Sequence, residues 1–397
     1  MALAIVVFAV AAGAPTPVRG AVRTWDGEAL TDLWSDPLNW SSNLVPGAAD
    51  TAVFDGTSVK NATIAINTSV GGVQVNAGYT GTITQSAGAT LTVGGAGFSQ
   101  AAGNFVGGTA AITVNGAFAL SGGSFTSTTA ILTVTGAFTR SGSGTFAHNG
   151  GTVAFSTSNV TIDVGGSLAF NNVSFVSGTK TIAAGSTLIV GGTLNLAGGA
   201  VNTGTLAAQA DISAQVGFTG GGTATLLIDG AGAQTFTGFH TLAAGSLPNV
   251  NIAKPSGTLT LAGTLRTARN WTYTSGGLVA TGSTLIFNGT QTITGSHSLD
   301  TVQVRGGTLT IAAGTTLTVT GPLNLFSGSL STGTLAAQAD ISAQVGFTGG
   351  SATLLINGTG AQLLTQAVAA TSSLPVVNIA KPSGTLTMSG MFRTTRS

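Results

Sequence analysis

The chain has 397 residues, of which 61 are Gly and 43% are apolar, and its twelve Lys and Arg stand against eleven Asp and Glu for a net charge of +1. Disorder requires high net charge and few apolar residues, so that class is excluded; singly scattered cations offer no stripe to a nucleic-acid backbone, which removes nucleic acid as a partner. Cys is absent, so disulfides and thiolate metal sites are excluded too, and the Val, Ile, Leu and Phe set among Thr, Ser and Gly predict an all-β protein of short strands and tight turns.

From the N-terminus, Leu3 to Ala14 is an apolar run of signal-peptide length and too short to span a bilayer. Small residues follow at Ala12-Gly13-Ala14 and at Val18-Arg19-Gly20. The second is the expected cleavage site, because the first would leave Pro15 at the new terminus, and residues 1–20 are expected to be a signal peptide. No Lys or Arg precedes the run, which points to a start other than Met1 or to a fragment. No further membrane span is expected.

Residues 21–56 differ from the rest. Trp25, Trp34 and Trp40 are three of the four Trp, and Asp26, Glu28, Asp32, Asp36, Asp50 and Asp55 are six of the eleven acids. A solenoid needs its open end covered against strand addition, and Trp among polar neighbours suits an N-terminal capping module.

Residues 57–397 are repetitive. The stretches from Leu91, Ile112 and Leu132 align with a period of about 20 residues, bringing Phe98, Phe118 and Phe138 into one register and Phe105, Phe125 and Phe146 into another. Each unit holds two or three short alternating runs broken by Gly pairs. Such a unit cannot bury its own apolar face, but identical units stacked by strand pairing can. The prediction is a parallel β-helix of about 17 coils, on the order of 80 Å long at the usual inter-strand spacing. Scarce charge fits, since a repeated charge would sit over its like, whereas Ser, Thr and Asn form neutral ladders.

A longer repeat of about 130 residues overlies the coils, predicted to occupy 180–308 and, truncated, 309–397. Thr203 to Gly220 recurs unchanged at Thr332 to Gly349, and the segment from Val250 recurs at Val377. The second copy stops at Ser397 where the first runs on through Arg266 into Trp271, so the natural protein is expected to continue.

The string from Thr24 to Gly56 carries Trp25 and Gly27, Asn39 and Trp40, then Val45, Pro46, Gly47, Asp50, Ala52 and Phe54. It resembles the opening segment of large bacterial surface proteins that bear autotransporter-associated β-strand repeats. Phe287 to Ile293 and Asn357 to Gln362 are similar to the low-charge repeats of the same proteins. The resemblance implies export and a pectin-lyase-like, right-handed parallel β-helix (β-solenoid). No outer-membrane barrel is visible in the sequence.

Parallel β-helices also host polysaccharide lyases and glycosidases, so chemistry has to be sought. Two-carboxylate hydrolysis needs a close acidic pair, yet beyond residue 56 only Asp163, Asp211, Asp229, Asp300 and Asp340 remain. Asp211 and Asp340 are equivalent in the two long copies, which reads as a turn or cap. Asp229 becomes Asn357, each before Gly, as a turn demands. His148, His240 and His297 have no second ligand at metal spacing. Gly94-Gly95 and Gly191-Gly192 recur with the coils and open no helix, so they are not phosphate loops. Lys254-Pro255 and Lys381-Pro382 read as a corner where Pro interrupts the ladder.

The sequence therefore predicts no catalytic, cofactor-binding or metal site and no cofactor. It predicts a non-catalytic, secreted or cell-surface structural or adhesive protein, outer-membrane-associated in one version, with cell-surface or matrix glycans or other surface proteins as partners. The alternatives are a carbohydrate-active β-helix enzyme and the passenger of a larger autotransporter-like protein.

Overall fold

The computed structural model describes residues 20–157, 159–367 and 372–394. The expected leader, residues 1–20, lies outside them apart from Gly20.

Alternation decides which side chains enter the core. In Thr187–Val190 the residues are alternately half-exposed and buried, so Leu188 and Val190 point inward while Thr187 and Ile189 face out. The same pattern holds one turn on, where Thr187, Leu188, Ile189 and Val190 pair with Thr205, Leu206, Ala207 and Ala208, and these with Thr225 to Ile228. Like therefore stacks on like. Every strand pairing among the described strands is parallel, and the one antiparallel contact is the isolated bridge between Trp25 and Trp40.

The result is a parallel β-solenoid of about 16 turns. Its turns average about 21 residues, close to the predicted period. The rod is thus about 75 Å long. A turn such as 91–111 contributes three strand segments: Leu91 and Phe98 lie within one bent strand, Leu91–Gln100, and Asn104–Val106 follows. The turns are not uniform. Thr284 lies opposite Thr301, whereas Phe236 lies opposite Leu261, and the corners absorb the difference. Some corners admit no side chain. Gly221 and its equivalent Gly350 have positive φ, and a Cβ there would fall 1.8 and 1.9 Å from the carbonyl oxygens of Val201 and Leu330.

The Phe registers read from the sequence are those of the structure. Phe98, Phe118 and Phe138 pair in sequence, as do Phe105, Phe125 and Phe146. Within each column the rings are stacked nearly parallel, with centroids 4.8 to 5.8 Å apart. Between columns they meet edge-on, as Phe118 and Phe125 do at 85°. Both geometries suit the ring quadrupole, and each contact adds roughly 1 kcal/mol beyond area burial.

At the N-terminal end Trp25, Trp34 and Trp40 surround Phe54 with centroids 5.4 to 5.6 Å away, and all four are buried. Trp25 Nε1 donates to Lys60 O and Trp40 Nε1 to Trp34 O. Val22–Thr24 pairs with Thr51–Phe54, which pairs with the turn above, so the Trp-rich segment seals the end and also supplies its first rung. Two short 3-10 turns, Pro37–Asn39 and Ser41–Asn43, are the only helical elements among the described residues.

Candidate functional site

The polar residues that could carry chemistry are tied to the backbone of neighbouring turns. Asp211 and Asp340 act alike: their Oδ1 atoms accept the N–H of Thr235 and of Leu363 on the next turn, both at 2.8 Å. Asn172, Asn249 and Asn270 accept from Thr193, Asn270 and Thr292 in the same manner. Asp163 caps Gly165 and accepts from Ser186, and Asp300 accepts from Gly282 one turn back. Each caps a corner whose N–H the ladder leaves unpaired.

The cations follow the same rule. All four Lys donate to backbone carbonyls. Lys60 holds Gly27 O, Ala29 O and Asn39 Oδ1 inside the aromatic cap. Lys180, fully buried, donates to Ser177 O at 2.6 Å and to Thr157 O one turn below. Lys254 Nζ donates to Gly230 O at 2.6 Å, to Gly232 O at 2.9 Å and to Gln234 Oε1. Lys381 repeats this on Gly358 O, Gly360 O and Gln362 Oε1 at 2.7, 2.9 and 2.5 Å. Both Gln side chains are fixed by their amides, on Ala208 O and Ala210 O in one copy and Ala337 O and Ala339 O in the other.

Three converging acceptors replace the water that a buried ammonium gives up. Burial nevertheless lowers the Lys254 pKa, and the charge of Asp229 partly restores it. Burial raises the Asp229 pKa in turn. Arg140 reaches Val164 O at 2.7 Å, Arg266 reaches Gly245 O at 2.6 Å, and Arg269 reaches Gly221 O. One ion pair occurs among the described residues, Arg23 to Asp50 at 4.0 Å.

His240 is buried, and its Nδ1 accepts the N–H of Arg266 at 3.0 Å. Burial, with Arg266 nearby, pushes its pKa down to about 4. In the second copy Gln366 Oε1 accepts the N–H of Arg393 at 3.1 Å. An imidazole and an amide thus fill one role, that of acceptor. His297 Nδ1 lies 2.7 Å from Gly295 O and its Nε2 accepts from Trp271 Nε1 at 3.2 Å, which fixes the Nδ1–H tautomer. Burial lowers its pKa as well. His148 sits in an exposed corner, where Nδ1 accepts from Gly150.

Among the described residues no three His, Cys, Asp or Glu cluster as metal ligands, and no helix is long and apolar enough to cross a membrane. A surface groove of about 420 Å³ lies on the outer sheet face across Ile131, Ala154, Ser174, Val176 and Asn195. It forms where the outward ladder runs Thr133, Ala154, Ser174, Asn195, and Ala154 leaves a dimple between longer neighbours. No charged or aromatic side chain lines it.

The Lys-Pro segments do mark a corner, because the pairing register shifts between Ala253 and Thr258. Burial of the lysine and its Gln partner went unread in the sequence. The available signal was the recurrence of Gln234 with Lys254 and of Gln362 with Lys381, each pair about one turn apart.

The molecule is accordingly a parallel β-solenoid whose charged and amide side chains are largely engaged with its own backbone. Comparison with family models, with curated proteins and with solved structures found no match.

Proposed function

We propose that this protein is a non-catalytic rod of an exported cell surface, structural or adhesive in role. The observation that carries the reading is the use of the scarce charged groups as ties between turns, in a ladder that continues from Val22 to Gly390. What the rod offers outward is a neutral, repeating surface: Thr92, Thr113 and Thr133 in one register, followed by Ser174 and Asn195. Equivalent weak hydroxyl and amide contacts repeated along a rod suit multivalent contact with surface or matrix glycans, or with other surface proteins.

The apolar run Leu3 to Ala14 supports export, and the Trp25-to-Phe54 string supports kinship with bacterial surface proteins that carry autotransporter-associated β-strand repeats. The test is protease shaving of intact expressing cells, followed by mass spectrometry of peptides between Arg140 and Arg393. Their release without lysis is the expected result. Recovery only after lysis would sink the surface role, and cleavage of a polysaccharide by the purified chain would sink the non-catalytic one.

A further inference from the structure

At one corner the rod departs from its neutral exterior. A pocket of about 330 Å³ opens across three successive turns, lined by Val216, Gly217 and Thr219 on the first, Ala244 to Ser246 on the second and Arg266 on the third. Thr219 pairs with Ser246, so two hydroxyl-bearing residues stack at its side. No Asp or Glu lines it. Its volume is within the range of small-ligand sites.

Two groups at this corner keep donors that the fold leaves unused. Arg266 Nη1 donates to Gly245 O at 2.6 Å and its Nη2 to the side-chain oxygen of Asn288, and its remaining N–H donors have no partner among the described residues. His240 is 4% exposed, and its Nδ1 accepts the N–H of Arg266, which puts the proton of the neutral ring on Nε2. That Nε2 is buried and has no partner. The ring edge that bears it lies against Gly245 in the pocket wall, where a Cβ would collide with His240 Cδ2. An unpaired buried donor is costly, and here a residue without a side chain stands between it and the pocket.

The surrounding charge is one-sided. Between Asp229 and Asp340 the only acid is Asp300, which accepts from Gly282, whereas Arg266, Arg269 and Arg305 are cations. Arg269 reaches back to Gly221 O, two residues beyond Thr219, and so brings a second guanidinium near the pocket. The second long copy keeps the arginine as Arg393 but has Gln366 in the role of His240. That amide is used on Arg393 in both directions, its Oε1 accepting the N–H and its Nε2 donating to the carbonyl. The unused buried donor therefore belongs to the first copy.

We propose that this pocket binds the carboxylate of an acidic sugar residue in a surface or matrix glycan. Arg266 takes the carboxylate, with the His240 Nε2–H as the donor behind it, and Thr219 and Ser246 meet the hydroxyls of the ring. Hydroxyls beside the cation, with no aromatic wall, favour a hydroxylated acid over an apolar one. This subsite is distinct from the weak repeated contacts along the rod and rests on the surface reading only for the source of its ligand.

The test is NMR titration of the purified full chain with glucuronate, read at the rings of its three His. The His240 signals should move, and those of His148 and His297 should not. Glucose should give no shift, and acetate and inorganic phosphate should bind more weakly than glucuronate. Arg266→Gln should weaken glucuronate binding by about tenfold or more. Should that variant misfold, Ala244→Glu, at an exposed position, sets a carboxylate in the pocket and should abolish binding with an unchanged β-type circular dichroism spectrum. An unmoved His240 ring, equal binding of glucose, acetate or phosphate, or undiminished binding by folded Ala244→Glu would overturn the proposal. Because the chain is purified, none of these outcomes depends on whether protease shaving finds the rod outside the cell.

Discussion

The two long copies place the same lysine in the same ring of carbonyls, yet their surroundings differ at two points. Next to Lys254 the first copy has Asp229, where the second has Asn357. Below Arg266 the first copy has His240, where Gln366 serves Arg393 in the second. The features kept in both are Gln234 and Gln362, the two Gly carbonyls and the lysine itself. What this teaches is that the ammonium is held by backbone dipoles and one amide, and that the carboxylate is dispensable. A charge pair would have been costly to bury. A ring of carbonyls already in place at the corners needs only to be oriented.

The hardest test of that comparison is to remove each lysine. Lys254→Met leaves Gly230 O, Gly232 O and Gln234 Oε1 in a buried corner without a donor, and the expected loss is about 3 kcal/mol. Lys381→Met, at a partly exposed corner where water can take over, should cost about 1 kcal/mol. Urea unfolding of the two variants measures the difference, and equal losses would break the account.

The second test concerns acid. The folded-state pKa of His240 lies below its unfolded value, so the unfolded chain takes up its proton first as the pH drops. The stability this group confers is complete above about pH 6.5 and is lost as the pH falls toward about 4. The loss amounts to at most about 3 kcal/mol. His297 adds a loss of the same sign, because protonation at Nε2 breaks its bond from Trp271. His240→Gln puts at this position the acceptor type that the second copy uses and should flatten the unfolding midpoint between those pH values by the His240 share alone. A variant with the wild-type acid slope would show that His240 is not the neutral acceptor described.

These tests rest on contacts that the sequence made visible to very different degrees. The Phe columns were legible because the same residue recurs one turn apart, so an alignment of the chain with itself is already a contact map for Phe98, Phe118 and Phe138. The Trp-rich end was legible as a cap from composition. The lysine shell was not, because Lys254 and Gln234 meet only once the turn length is known, and that length varies along the rod. His240 and Gln366 escaped notice for a different reason: self-alignment finds like residues, and here unlike residues share a role. Trp271 and His297, likewise about a turn apart, read as two isolated residues.

The smallest and sharpest test is Asp229→Asn, which gives the first copy the residue of the second. Burial raises the Asp229 pKa above the ordinary carboxylate value, so its ionised form is held at a cost, partly offset by Gln209 and by the Lys254 charge. A raised acid pKa contributes stability at low pH that is lost as the pH rises through the folded value. Below the carboxylate range, then, wild type and variant should unfold together. Near neutrality the variant should be the more stable, by less than about 1 kcal/mol, because it keeps the corner shape and drops the buried charge. Denaturant midpoints at acid and neutral pH decide it. A clear destabilisation at neutral pH would mean that the carboxylate does hold Lys254 in place, and that the second copy retains its lysine by some means other than the shared ring of carbonyls.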